Sequence, residues 1–165
     1  MTKHRLVPLL ISLSGLAMAT APAQAKEIAY DTTFCYAGTQ SVIVSSKELT
    51  VFGADLRGIG RSNTEDKTFD NDTAHCVGAN RITEKHVAAH GYCKFQSING
   101  DTYVGEYSAS GPPGSEGTWT VLHGTGKWSG IKGGGPYRVI TQGRPIAAGT
   151  FQSCNRATGK YTLPD

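Results

Sequence analysis

Glu106 is the acidic side chain that the sequence sets most directly within an apolar surface, where a carboxylate could act as a general acid or base. The placement comes from hairpin geometry. Asn99-Gly100 is the strongest turn signal in the chain, because both residues accept positive φ. A two-residue turn there sets Phe95 opposite Val104 and Cys93 opposite Glu106. Cys93 and Phe95 lie on an apolar face that should point inward, so Glu106 points inward with them. Loss of hydration would then raise its pKa towards the range useful for proton transfer. A bulged turn would slip the register by one residue and turn Glu106 outward. The residues alone leave both registers open.

His75, His86, His90 and His123 are the candidate imidazoles. His75 and His90 fall on the outer face of one hairpin, too far apart along it to share a metal, and read as solvent-facing. Serines are numerous, but there is no G-x-S-x-G elbow and no Ser-His-Asp order. Asp70-Asn71-Asp72 resembles a fragment of a calcium loop without the further ligands and the closing glutamate. Asn71-Asp72-Thr73 has the form of a glycosylation sequon. Both read as polar loop. Gly124-Thr125-Gly126-Lys127 lacks the G-x4-G-K-[ST] spacing of a phosphate loop and reads as a structural turn. Neither a metal nor a cofactor is expected.

The four cysteines, 35, 76, 93 and 154, are even in number and widely spaced, which suits two disulfides better than zinc. Spacing alone allows three connectivities, and local pairing selects among them. A two-residue loop at Glu84-Lys85 brings Cys76 directly opposite Cys93 at a non-hydrogen-bonded position, where Cα atoms approach closely enough for a bridge. Cys35 is then left for Cys154, joining the first strand to nearly the last.

These residues need elements to position them, and the chain supplies strands. Segments 32–36, 41–44, 74–82, 87–97, 102–109, 117–122, 137–141, 149–154 and 161–163 are rich in β-branched and aromatic residues and bounded by turn formers. The polar, glycine-bearing stretch 53–72 reads as a long loop crossing one end of the sheet. No amphipathic helical stripe stands out, and 21 Gly with 7 Pro in 165 residues argue against a helical fold. The fold class is therefore all-β. A closed antiparallel barrel of about eight strands with two disulfides is favoured over a sandwich, because closure removes sheet edges and accounts for the terminal cysteine pair. Phe95, Val104, Trp119 and Val121 are expected to line the interior, while Tyr103 and Tyr107 would face out.

Residues 1–25 have the three parts of a secretory signal: Lys3, His4 and Arg5, then a largely apolar run over 6–18, then Ala23-Gln24-Ala25. The run is too short to span a bilayer. The mature protein would be a single domain over residues 26–165, secreted or periplasmic. Its balance is 14 basic against 13 acidic residues, since the leader removes two bases from the whole chain's 16 and no acid. That balance gives no steering field for nucleic acid or anionic lipid. Neither is expected as a partner, and no membrane association is expected once the leader is gone.

Residues 117–141, GTWTVLHGTGKWSGIKGGGPYRVIT, resemble the segment shared by allene oxide cyclases and dirigent proteins. That resemblance implies an eight-stranded antiparallel barrel around a hydrophobic cavity, with interior carboxylates in the related proteins. The chain departs from the pattern in its four cysteines and in residues 145–164, which read as an addition after the motif. Three functional readings follow. The first is a barrel that binds a small apolar molecule without catalysis. The second is a cyclase- or isomerase-like enzyme in which Glu106 stabilises or transfers charge. The third is an extracellular interaction module presenting Tyr103 and Tyr107.

Overall fold

Alternation of inward and outward side chains runs along the chain from Glu27 onward, and it builds strands whose inner faces meet in one core. The computed structural model describes residues 25–164; the leader expected over residues 1–25 lies outside them except for Ala25. Eight strands follow in order: β1 (Glu27–Ser45), β2 (Thr50–Ser62), β3 (Thr73–Ile82), β4 (Val87–Gln96), β5 (Thr102–Gly111), β6 (Gly117–Gly124), β7 (Lys132–Gln142) and β8 (Thr150–Thr162). Each pairs antiparallel with the next, and β8 returns to pair with β1, closing the barrel. A single 3₁₀ turn, Gly126–Trp128, interrupts the strands.

Segments 32–36 and 41–44 are parts of one long strand, β1, and residues 145–164 are no addition. They contain β8, whose ladder with β1 runs from Glu27↔Thr162 to Thr39↔Thr150. The loop expected over 53–72 is half strand. β2 continues to Ser62, with Phe52, Ala54, Leu56, Gly58 and Gly60 turned inward and Arg57, Ile59 and Arg61 outward. Its glycines are places for rings. Gly58 lies across from Tyr36 and Gly60 across from Phe34, and a Cβ at either would overlap the aromatic facing it.

Both disulfides have the expected connectivity. The Thr83 N–H donates to the His86 carbonyl at 2.8 Å around the Glu84-Lys85 loop. Cys76 therefore pairs with Cys93 on the inner face of the β3–β4 hairpin. Cys35 bonds Cys154 on the outer face of the β1–β8 seam.

The next hairpin corrects the expected register. The Ser97 N–H donates to the Asp101 carbonyl, and the Gly100 N–H to the Ser97 carbonyl, so three residues, 98–100, form the loop. Gly100 takes the left-handed conformation at φ +91°. This is the three-residue hairpin loop ending in a glycine bulge. Phe95 then faces Tyr103 rather than Val104, and Cys93 faces Gly105 rather than Glu106.

One end of the barrel is sealed. Loop 63–72 folds back over it and inserts Phe69, which lies 5.2 Å from the rings of Tyr103 and Trp128 and 5.5 Å from that of Tyr161. Lys67, Phe69 and Asn71 all adopt positive φ, a conformation that non-glycine residues keep only when their surroundings impose it. Here those surroundings include the Ser62 N–H bound to Asp70, the Asn71 N–H bound to the Gly60 carbonyl, and the ring cluster around Phe69. The opposite end, ringed by the β1–β2, β3–β4, β5–β6 and β7–β8 turns, is open.

Candidate functional site

Above the sealed end the barrel interior is a cup of about 820 Å³. Its size has a simple cause. Ala54, Ala89, Ala109 and Ala157 hold inward positions that larger residues would fill, and glycines take several others. Phe34, Phe95, Tyr103 and Trp119 form the deep wall, with Phe95 and Tyr103 stacked at 4.7 Å between ring centres. Aromatic contacts of this kind add about 0.5–1.5 kcal/mol each beyond their burial.

Three of the four expected lining residues point inward. Phe95 and Trp119 border the cavity. Val121 is buried in the same core. Val104 does not line the cup: it pairs with Lys94 and His123 and faces outward. Glu106 is outward too. It belongs to the wall, but its carboxylate meets His90 Nε2 at 2.6 Å on the outer surface, and its cross-strand neighbours are the exposed Tyr92 and Thr120. The one-residue slip in loop 98–100 accounts for both corrections. The same slip turns Tyr103 and Tyr107 inward, so neither is an outer docking residue. Tyr103 is 1% exposed.

The histidines stay apart. His75 contacts Asp55 at 3.1 Å, His86 lies 3.3 Å from the Ser110 hydroxyl, and His90 pairs with Glu106. Among the described residues no three His, Cys, Asp or Glu side chains gather as a metal site.

The interior carboxylate is Asp72, which lies in the polar stretch that the sequence presents as loop. It is 2% exposed and accepts a hydrogen bond from the Tyr103 hydroxyl at 3.1 Å. Burial raises its pKa above the usual carboxylate range, against the lowering effect of its hydrogen bonds. Asp72 sits beneath Tyr103 and ties loop 63–72 to the floor. Beside it the Trp128 indole donates to the Ser97 hydroxyl at 2.8 Å. Nothing in the spacing of Asp70-Asn71-Asp72 marks which carboxylate is buried. The backbone turn at Asn71 decides it.

Apolar surface predominates around the cup, and some of its polar atoms are unpaired. The Tyr30 hydroxyl, Thr32 Oγ1, Trp119 Nε1 and Asn155 Oδ1 are buried without hydrogen-bond partners. The rings of Tyr30 and Trp119 meet edge-on at 5.6 Å, yet neither polar atom completes a bond. Nearer the mouth stand Tyr36, Tyr107 and Tyr137. Burial raises the pKa of all three, and that of Tyr137 is pushed up to about 12. These phenols therefore keep their protons at physiological pH. The arrangement can enclose an uncharged molecule and hold it by aromatic contact and hydroxyl donors.

The comparison of whole structures bears on this geometry. The pterocarpan synthase dirigent protein GePTS1 superimposes with a TM-score of 0.53 at 12% identity, over 89% of this chain and 99% of that one. The fold is the dirigent-type barrel. A second pterocarpan synthase dirigent protein, PsPTS1, matches with a TM-score of 0.49 at 11% identity, over 86% of this chain and 97% of that one. No family model matches the sequence, and no curated protein does. At such low identity the dirigent-type likeness is one of fold. It extends well beyond the motif at 117–141.

Proposed function

We propose that this chain is a binding protein that takes a small, predominantly apolar, uncharged molecule into its barrel without catalysing a reaction on it. The observation that carries the reading is the open aromatic cup of about 820 Å³, a volume in the usual range for small-molecule sites. The nearest acid in its wall, Glu106, is engaged with His90 on the outside. A charged ligand would therefore lose hydration on entry without meeting an opposite charge. Two disulfides suit an oxidising compartment and support a secreted or periplasmic setting. A cyclase- or isomerase-like activity is the second reading, favoured by the fold shared with a protein named as a pterocarpan synthase. It needs the same binding step and a reactive group other than Glu106.

Diphenylhexatriene, a neutral hydrocarbon that is dark in water and bright in apolar surroundings, tests the binding step. The expected result is saturable emission at one probe per chain, with energy transfer from tryptophan, since Trp119 lines the cup. Absence of saturable emission from the oxidised, folded protein would overturn the reading.

A further inference from the structure

Three phenols gather in the cup, and their hydroxyls set what a ligand there must offer. Tyr36, Tyr107 and Tyr137 come from three different strands, β1, β5 and β7, and converge on one region of the cavity. The rings of Tyr107 and Tyr137 meet edge-on at 6.4 Å. Tyr36 is close enough to both that either phenolate would raise its pKa further. None of the three hydroxyls has a hydrogen-bond partner among the described residues, whereas Tyr103 deeper in the barrel has Asp72.

Their positions are built into the strands. Gly78 and Gly91 face each other across the β3–β4 ladder, and a Cβ on either would overlap the Tyr107 hydroxyl. Gly117 gives the same room to the ring of Tyr137, and Gly58 to that of Tyr36. Removing the methyl group from those wall positions lets three long side chains lie along the wall, so that the cavity stays open while their hydroxyls border it.

A protonated phenol can donate one hydrogen bond, and the indole N–H of Trp119 can only donate. Asn155 Oδ1 is a fully buried acceptor of the same lining that lacks a partner. A ligand that buries the three phenols must accept from their hydroxyls or leave those donors unpaired. We infer that the Tyr36, Tyr107 and Tyr137 hydroxyls form a donor subsite that selects apolar ligands bearing a neutral oxygen acceptor, such as a ketone or quinone carbonyl, over pure hydrocarbons and over cations. This deepens the proposed binding function and rests on it.

Two probes of matched shape separate the claims: 2-acetylnaphthalene, and 2-isopropenylnaphthalene, in which a methylene replaces the carbonyl oxygen. Dissociation constants are measured by calorimetry on the oxidised protein and on a variant carrying Tyr36→Phe, Tyr107→Phe and Tyr137→Phe. Comparing the two proteins cancels the probes' different affinities for water. The expected result is that the variant weakens the ketone about tenfold relative to the hydrocarbon, the effect of one or two net hydrogen bonds. An unchanged ratio, including a parallel loss of both probes, overturns the donor subsite while leaving the cup as a binding site. Tighter binding of a naphthyl trimethylammonium ion than of the ketone to wild type overturns it in favour of a cation cage. Binding of no probe to wild type overturns the cup reading and this inference together.

Discussion

Asp72 illustrates how a single residue in the floor couples fold to pH. Its folded pKa is raised by burial, so at neutral pH the charged carboxylate costs stability that the unfolded chain does not lose. That cost is relieved as pH falls through the raised folded value. Asp31 behaves in the opposite sense: its hydrogen bonds from Arg156 hold its carboxyl below the usual range, so its contribution is present above the unfolded pKa and lost as pH falls through the folded one. Asp66, bound by Thr64, acts in the same direction as Asp31. Asp72→Asn keeps an oxygen acceptor for Tyr103 and removes the titration. Thermal melts of wild type and D72N should therefore differ by an amount that shifts in wild type's favour as pH is lowered from 7 towards 4. A pH-independent difference would show that Asp72 is not held with a raised pKa. Among the candidate residues, Phe95, Trp119 and Val121 were legible as inward because their own strands alternate cleanly. Asp72 was not, since its burial depends on backbone turns at Lys67, Phe69 and Asn71 that residue type does not disclose.

Elements fix which residues can reach the cup, and one loop decides most of it. Asn99-Gly100 reads equally well as the centre of a two-residue turn or as the end of a three-residue loop. The outcome differs by one register position, which reverses the face of every residue on β5. Gly100 holds the three-residue form through its positive φ. Gly100→Ala should destabilise the protein by about 1 kcal/mol in chemical denaturation, because a Cβ strains that conformation. No loss of stability would mean that the glycine does not set this turn. The β3–β4 register, by contrast, was legible from the sequence, because a two-residue loop at Glu84-Lys85 sets Cys76 opposite Cys93. β2 was obscured for another reason. Its glycines imitate a loop in composition, yet Gly58 and Gly60 are strand positions at which the rings of Tyr36 and Phe34 replace a side chain. Glycine opposite an aromatic recurs at Tyr30–Gly159 and Tyr137–Gly117, so the glycine content reports the thickness of the wall as much as its turns.

At the scale of the whole molecule, closure and hollowness are separate achievements. Closure depends on the β1–β8 seam, which the Cys35–Cys154 bridge spans with a sequence separation of 119 residues, against 17 for Cys76–Cys93. In the chain-entropy picture, replacing the first pair by serine should cost about 4–5 kcal/mol and the second about 3 kcal/mol, read from urea unfolding. The reverse order would indicate that the seam is not the main restraint on the unfolded chain. Hollowness depends on small residues at inward positions, with aromatic rings lying flat over glycines and a sealed floor beneath. The barrel class was readable from strand count and cysteine pairing. The open cup was not, because residual volume follows from how rings lie across neighbouring strands.

The most direct test narrows that volume. Ala54 lines the cup from β2, and Ala54→Trp would put an indole into the space. Equilibrium titration of diphenylhexatriene into wild type and A54W, with near-ultraviolet circular dichroism to verify the fold, is the measurement to make. One probe should bind per wild-type chain, and a folded A54W protein should bind it more weakly. Equal binding by the two proteins would place the probe on the outer surface and contradict the account of this barrel as a ligand cup.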